Sequence, residues 1–180
     1  MGVAGVTRAV DGATGDPGSV SQLGGALRSQ AQQLLRQRGR LTDELDGLRR
    51  RAAGDDVVLR QAEATVRLLD ASVEALERVG ATLQGCAQEL TEIAARERAL
   101  ERSAAAAGLG LDGLVVIEPW GVLPADTAVE RRGAAAGLQD QADRIASQLG
   151  RARAAVLRAT DDAGGALARA ARANRESLGL

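Results

Sequence analysis

Residues 62–100 read AEATVRLLDASVEALERVGATLQGCAQELTEIAARERAL, and this stretch carries the most informative pattern in the chain. Aliphatic residues recur in it at intervals of seven: Ala62, Leu69, Leu76, Leu83 and Leu90. This spacing predicts a helix with a narrow apolar seam, as in a coiled-coil-like contact. No Pro interrupts the pattern, so we expect one helix over 55–107.

A second row with the same spacing precedes it. The row consists of Val20, Leu27, Leu34, Leu41 and Leu48, and Leu23, Ala31 and Leu45 fill in on the same side. Pro17 suits the first turn of a helix, so we expect a helix over 17–52, weakened by about 1 kcal/mol at each of Gly24, Gly25 and Gly39. The connection at Gly54 is short, which predicts that the following helix runs antiparallel to this one.

The third predicted helix covers 126–173. Asp126 or Thr127 is the expected N-cap, and Glu130 completes a capping box with Thr127. Its apolar stripe alternates spacings of four and three: Leu138, Ala142, Ile145, Leu149, Ala152, Val156, Ala159, Ala163, Ala166 and Ala170. Such an Ala-rich stripe allows close helix packing but buries little area per residue.

Between the second and third helices lies a segment of different composition, 108–125. It contains VVIEPWGVLP, residues 115–124, with the only Trp of the chain, Trp120. We expect an extended strap that lays residues 115–117 on the helices. Trp120 either anchors this strap in the groove between the helices or, with Gly121, forms an exposed docking contact for a partner.

These patterns together predict an all-α fold, an elongated antiparallel helical hairpin extended to a three-helix bundle. We expect a flexible N-terminus over 1–15, one helical domain over 16–175 and a tail over 176–180. The seam is thin, so a second copy or another helical protein is expected to complete it. The residues expected to carry this pairing are Leu27, Leu34, Leu69, Leu76, Leu83, Ile145 and Leu149.

Composition excludes several kinds of site. The chain has no His or Tyr, and Cys86 is its only Cys. The usual His and Cys zinc sites and His-dependent catalytic pairs therefore cannot form. We expect no catalytic residue, cofactor, metal or small-molecule substrate. The net charge of -1 and the single aromatic residue also argue against nucleic-acid binding.

The sequence gives no sign of a membrane span or of a secretory signal. No apolar run approaches the roughly 20 residues that a spanning helix needs, and residues 1–15 lack an apolar core. We therefore expect a cytoplasmic protein or one exported by a route that needs no signal peptide.

Several stretches resemble the WXG-type helical proteins of actinobacterial type VII (ESX) secretion. The first is Gly15-Asp16-Pro17-Gly18-Ser19-Val20-Ser21-Gln22-Leu23, which opens a helix rich in Leu, Ala, Gln and Arg. The others are the short turn into a second long helix and the segment from Ala104 to Leu111 that leads to Pro119-Trp120-Gly121. All 23 basic residues are Arg, which suits a GC-rich genome.

The resemblance implies a non-enzymatic protein that acts as a secreted substrate, partner or adaptor. Two departures qualify it. The turn at 48–54 lacks the Trp of the family's Trp-x-Gly motif, and a chain without Tyr cannot carry the family's Tyr-x-x-x-Asp or Glu secretion signal. A partner would then supply that signal. The alternative is a cytoplasmic coiled-coil scaffold unrelated to secretion.

Substitution of Trp120 by Ala distinguishes its two interpretations. If the indole anchors the strap, Trp120→Ala lowers the melting temperature because buried aromatic area is lost. If it is a docking contact, the melting temperature is unchanged and partner binding weakens. Thermal denaturation of the purified variant, compared with the wild type, is the measurement.

Overall fold

A computed structural model describes residues 16–50, 56–119, 121 and 124–178, without the side chains of 177 and 178. The described residues form helices α1 (Pro17–Arg50), α2 (Asp56–Ala106) and α3 (Ala125–Leu178). Two short strands, β1 (Gly110–Asp112) and β2 (Val115–Ile117), lie between α2 and α3. The all-α class predicted from the apolar repeats is confirmed.

The C-terminal end of α2 is a Schellman motif. The Leu109 N–H donates to the Ala104 carbonyl at 2.8 Å, and the Gly108 N–H donates to the Ala105 carbonyl at 3.0 Å. Gly108 has φ 66°, a left-handed conformation that glycine adopts without a Cβ penalty. Leu109 and Ala104 are both buried, which supplies the apolar contact that usually accompanies this motif.

The N-terminus of α3 differs from the predicted capping box. The helix begins at Ala125, and the Ala128 N–H donates to the Pro124 carbonyl at 3.0 Å. Thr127 therefore lies inside the first turn and is not the N-cap. Asp126 also lies in that turn, where a carboxylate interacts favourably with the helix dipole. At its other end α3 continues through Gly164 and Gly165 to Leu178.

The chain divides into two compact units, and each is described separately. One unit contains Gly18–Gly85 and Ala155–Leu180, and the other contains Cys86–Ala154. We call them the α1 unit and the β-hairpin unit. The single domain expected over 16–175 stays a prediction.

In the α1 unit, α1 and α2 run antiparallel and touch at two glycines. A Cβ on Gly24 would lie 2.9 Å from the carbonyl oxygen of Gly80, and a Cβ on Gly80 would lie 2.9 Å from that of Gly24. Further along, Nε of Arg38 lies 2.9 Å from Oδ1 of Asp70. Gly24 is therefore a point of close helix contact, where the sequence suggested only a local weakness.

The most buried residues of α1 lie along one edge of the predicted seam, which included Ala31 and Leu45. Gly24, Ala31 and Leu45 are buried, and Arg38 shares their seven-residue spacing. The predicted row of Val20, Leu27, Leu34, Leu41 and Leu48 is half-buried throughout. Small residues can lie deepest because they let the α2 backbone approach α1 closely.

The core of the β-hairpin unit follows the predicted α3 stripe. Five residues of that stripe are buried within this unit: Leu138, Ala142, Ile145, Leu149 and Ala152. From α2, Ile93 and Leu100 are the largest fully buried side chains. A hydrogen bond from Nη1 of Arg96 to Oε1 of Gln148, at 2.5 Å, links the two helices.

The segment predicted to be a strap contains a β-hairpin instead of one extended run. β1 and β2 pair antiparallel, with Leu111 opposite Val116 and Asp112 opposite Val115. Gly113 has φ 59°, as a two-residue turn with glycine in its first position requires. Val115 and Ile117 are 58% and 44% exposed, so the expectation that they cover the helices is wrong for these two residues. Trp120 lies outside the described residues.

Alanine substitutions at the helical glycines test the close contact. Gly24→Ala and Gly80→Ala are each expected to lower the free energy of unfolding by about 1–3 kcal/mol, because the added methyl meets backbone that cannot yield. Gly39 and Gly85 are matched controls on the same two helices, with nothing within 4 Å of an added Cβ.

At the control positions alanine should stabilise the helix, by up to about 1 kcal/mol. Urea denaturation of the four variants is the measurement. Equal effects at all four positions would contradict the close contact.

Candidate interaction surfaces

The residues predicted to pair with a partner fall into two groups by exposure. Leu83, Ile145 and Leu149 are buried within the chain, so they serve the internal core. The other four are half-buried: Leu27, Leu34, Leu69 and Leu76. Only this second group offers side-chain area to a partner without unfolding, and its pairing role stays a prediction.

The α1–α2 register sets the relative levels of the half-buried leucines. Gly24 lies beside Gly80 and Arg38 beside Asp70. In an antiparallel pair this places Leu76 level with about residue 30, between Leu27 and Leu34. Together with Leu23, which is 53% exposed, these leucines provide an apolar surface on the α1 unit. We call the half-buried row of Val20, Leu27, Leu34, Leu41 and Leu48, with Leu23 beside it, the α1 surface.

The same part of α1 is basic. Residues 17–42 contain four Arg and no acidic residue. Arg38 pairs with Asp70, although its buried Nε makes no aligned hydrogen bond. Arg28, Arg36 and Arg40 are exposed. Within the described part of the chain these three make no ion pair, so the α1 surface is bordered by positive charge.

A salt bridge joins α1 and α2 at the end of the pair that contains Arg49. Arg49 forms a salt bridge with Glu63 across the two helices and another with Asp46 at 3.3 Å. The hydrogen bond to Glu63 raises the pKa of the Arg49 guanidinium further above its ordinary value. These groups are solvent-exposed, so the pairs orient the helices more than they stabilise them.

Cys86 is half-buried on α2. Burial raises the pKa of its thiol, repulsion from Glu89 raises it further, and the positive charge of Arg153 opposes both. The thiol is therefore protonated at neutral pH, which does not suit a nucleophile.

A carboxylate interrupts the α2 seam of the β-hairpin unit. Ile93, Leu100 and Ala104 are buried, and Glu97 occupies the position between them in the four-three-four spacing. Glu97 is half-buried. Desolvation raises the pKa of its carboxyl, and the charge of Glu101 one turn away adds to this effect. The apolar pattern of the sequence does not indicate this charged residue, although its spacing from Ile93 and Leu100 marks it as a seam position.

A small cleft lies on the β-hairpin unit between α2 and α3. It has a volume of about 210 Å³ and is lined by Arg96, Ala99, Gln141, Arg144 and Ile145. This is below the roughly 300–1,000 Å³ typical of small-molecule sites. The cleft therefore gives no reason to assign a cofactor.

The side chain of Gln139 holds the β-hairpin against α3. Its Oε1 accepts a hydrogen bond from the Val116 N–H at 2.9 Å, and its Nε2 donates to the Leu114 carbonyl at 3.3 Å. Nε2 also donates to Oδ1 of Asp143 at 2.8 Å. The amide thus pairs with the outer edge of β2 as the backbone of a neighbouring strand would.

The structure gives little information on the two predicted docking residues, Trp120 and Gly121. Gly121 is exposed, while Trp120 lies outside the residues that the structure describes. Both roles stay predictions. In the described ranges, no group of three or more acidic or Cys side chains is placed to hold a metal ion.

Comparison with known proteins identifies no relative of this chain. No protein-family model matches the chain, and neither a curated protein nor a solved structure is similar to it. Among the described helices, none combines the length and apolar character that a membrane span requires. The surfaces above are therefore the basis for functional inference.

The raised pKa of Glu97 predicts that the stability of the protein depends on pH. The Glu97 carboxyl has a raised pKa in the folded chain, so the folded state binds the proton more readily than the unfolded state does. Stability should therefore fall as pH rises through that pKa. Glu97→Gln removes this half-buried charge and should raise the melting temperature at pH 7 by about 1–4 °C.

The advantage of Glu97→Gln should shrink as pH is lowered toward the ordinary range of Glu, where the wild type becomes neutral too. Thermal scans of both proteins across this pH range are the measurement. The exposed Glu77→Gln is the control and should show no such trend. A gain that is the same at every pH would contradict the role of charge.

Proposed function

We propose that the protein is a non-enzymatic helical interaction protein of the type VII (ESX) secretion kind, acting as a secreted substrate, partner or adaptor. The observation that carries the proposal is the α1 surface. Its row of aliphatic side chains, spaced seven residues apart, is only half-buried within the chain. A helix from a second chain could cover such a row by coiled-coil-like packing.

The partner is a helical protein, either a second copy or another chain. The resemblance to WXG-type proteins supports another chain, since a protein without Tyr needs a partner to supply the family's secretion signal. The basic border of the α1 surface favours a partner helix with acidic residues beside its apolar face. In this proposal the protein is cytoplasmic until it is exported without a signal peptide.

Polar substitutions in the α1 surface test the pairing. Leu27→Gln and Leu34→Gln together should weaken association at least about tenfold, while far-UV circular dichroism keeps its helical signature. Val129 is 65% exposed and lies on α3 of the β-hairpin unit, so Val129→Gln is the matched control. Light scattering over a dilution series, alone and with helical proteins encoded beside its gene, is the measurement.

A wild-type chain that stays monomeric in every mixture, with a melting temperature independent of concentration, would rule out this pairing. Export is tested separately. In a host that carries the gene, loss of the secretion ATPase should remove the protein from the culture filtrate. A protein retained in the cytoplasm whether or not the ATPase functions would support the scaffold alternative.

A further inference from the structure

The two strands of the β-hairpin have different outer edges. Asp112 and Val115 flank the two-residue turn, so they exchange the hydrogen bonds that close it. The next pair, Leu111 and Val116, then directs its N–H and C=O groups away from the opposite strand. The hydrogen bond from the Val116 N–H to Gln139 agrees with this alternation.

The outer edge of β2 is closed by Gln139, and that of β1 is open. Because Gln139 belongs to α3, the elements lie in the order α3, β2, β1, and β1 is outermost. The N–H and C=O of Leu111 make no hydrogen bond to any described residue. An edge with an unpaired donor and acceptor is a template for another strand.

The surface next to this edge is apolar and acidic. Val115 and Ile117 share one face of β2 and are 58% and 44% exposed. Asp112, opposite Val115, and Glu118, which follows β2, are also exposed. Neither carboxylate forms an ion pair with a described residue.

We infer that β1 binds an extended segment of a partner chain by strand addition. The backbone of that segment pairs with Leu111, and its alternate apolar side chains lie beside Val115 and Ile117. Arg or Lys residues at its ends face Asp112 and Glu118. This surface differs from the α1 surface in its residues, and it takes an extended partner segment instead of a helix.

The charges distinguish this partner from a second copy. Two copies paired edge to edge would bring the same carboxylates together, and like charges across strands are destabilising. A strand of three residues also offers far less area than the roughly 1,200 Å² of a stable dimer. A short basic segment avoids the repulsion, and only a weak, reversible complex is expected.

A peptide library provides the probe. Random twelve-residue peptides displayed on phage are selected on the full chain, and the enriched peptides are synthesised. We expect alternating β-branched or apolar residues flanked by Arg or Lys. In the nitrogen–proton NMR spectrum of the full chain, the Leu111 amide should become protected from hydrogen exchange on binding.

The variants Leu111→Pro and Leu111→Val are a matched pair. Proline removes the outward N–H and breaks no hydrogen bond to β2, because Leu111 donates none to that strand, and proline is tolerated in edge strands. Valine keeps the N–H. Leu111→Pro should weaken the selected peptides at least about tenfold and Leu111→Val should not. An unchanged Val116 amide signal shows that the hairpin is intact in both.

Val115→Ser with Ile117→Ser should also weaken binding, and exchange of the peptide's Arg or Lys for Glu should weaken it further. The inference is overturned if no peptide is enriched, or if the enriched peptides bind wild type and Leu111→Pro equally well. Neither result bears on the α1 surface, which the hairpin variants leave unchanged.

Discussion

Two helices approach only as closely as the side chains between them allow, and at the closest α1–α2 contact these are hydrogen atoms. Gly24 and Gly80 bring the two backbones together to the point where a methyl group on either would meet a carbonyl oxygen at 2.9 Å. The stem of Arg28 fills the space beside Gly80, since its Cγ would lie 2.8 Å from an added Cβ. This contact sets the register of α1 on α2.

That register explains which apolar side chains of α1 are only half-buried. With Gly24, Ala31 and Leu45 at the centre of the contact, the larger leucines of the neighbouring row lie at its side. Leu27 and Leu34 are therefore half-buried. The surface proposed for a partner is a geometric consequence of the small residues that pair α1 with α2.

Sequence reasoning predicted the helices and most of the α3 core because both follow from spacing alone. Leu138, Ala142 and Ile145 lie on one face in any continuous helix, and they are buried. On α1 the predicted seam contained Ala31 and Leu45, which are buried. Gly24 was predicted only as a local weakness because of its low helix propensity, whereas its tertiary contact with Gly80 decides its position. Spacing does not show which of two adjacent rows faces a neighbouring helix.

The β-hairpin was missed for a different reason. Gly113, in the first position of a two-residue turn between alternating apolar residues, is a local hairpin signal, but residues 108–125 were predicted as one extended connection. No sequence pattern indicated Gln139 as the residue that closes the β2 edge, because its partners are backbone atoms 23 and 25 positions away. The open β1 edge could be recognised only after that contact was known.

The free energies of apolar burial and of association indicate what kind of partner the α1 surface needs. Full burial of a Leu or Val side chain contributes about 1.5–3 kcal/mol. The five side chains in the row are already largely buried, so covering the remaining third or less of each gives at most about 3–5 kcal/mol. Association itself costs an estimated 4–15 kcal/mol. Apolar pairing along this row therefore at best offsets the cost of bringing two chains together. A stable complex requires added interactions, and the exposed Arg28, Arg36 and Arg40 are placed to provide them to an acidic partner helix. The charges would then determine which partner helix binds, while the leucines determine the orientation of that helix on the α1 surface.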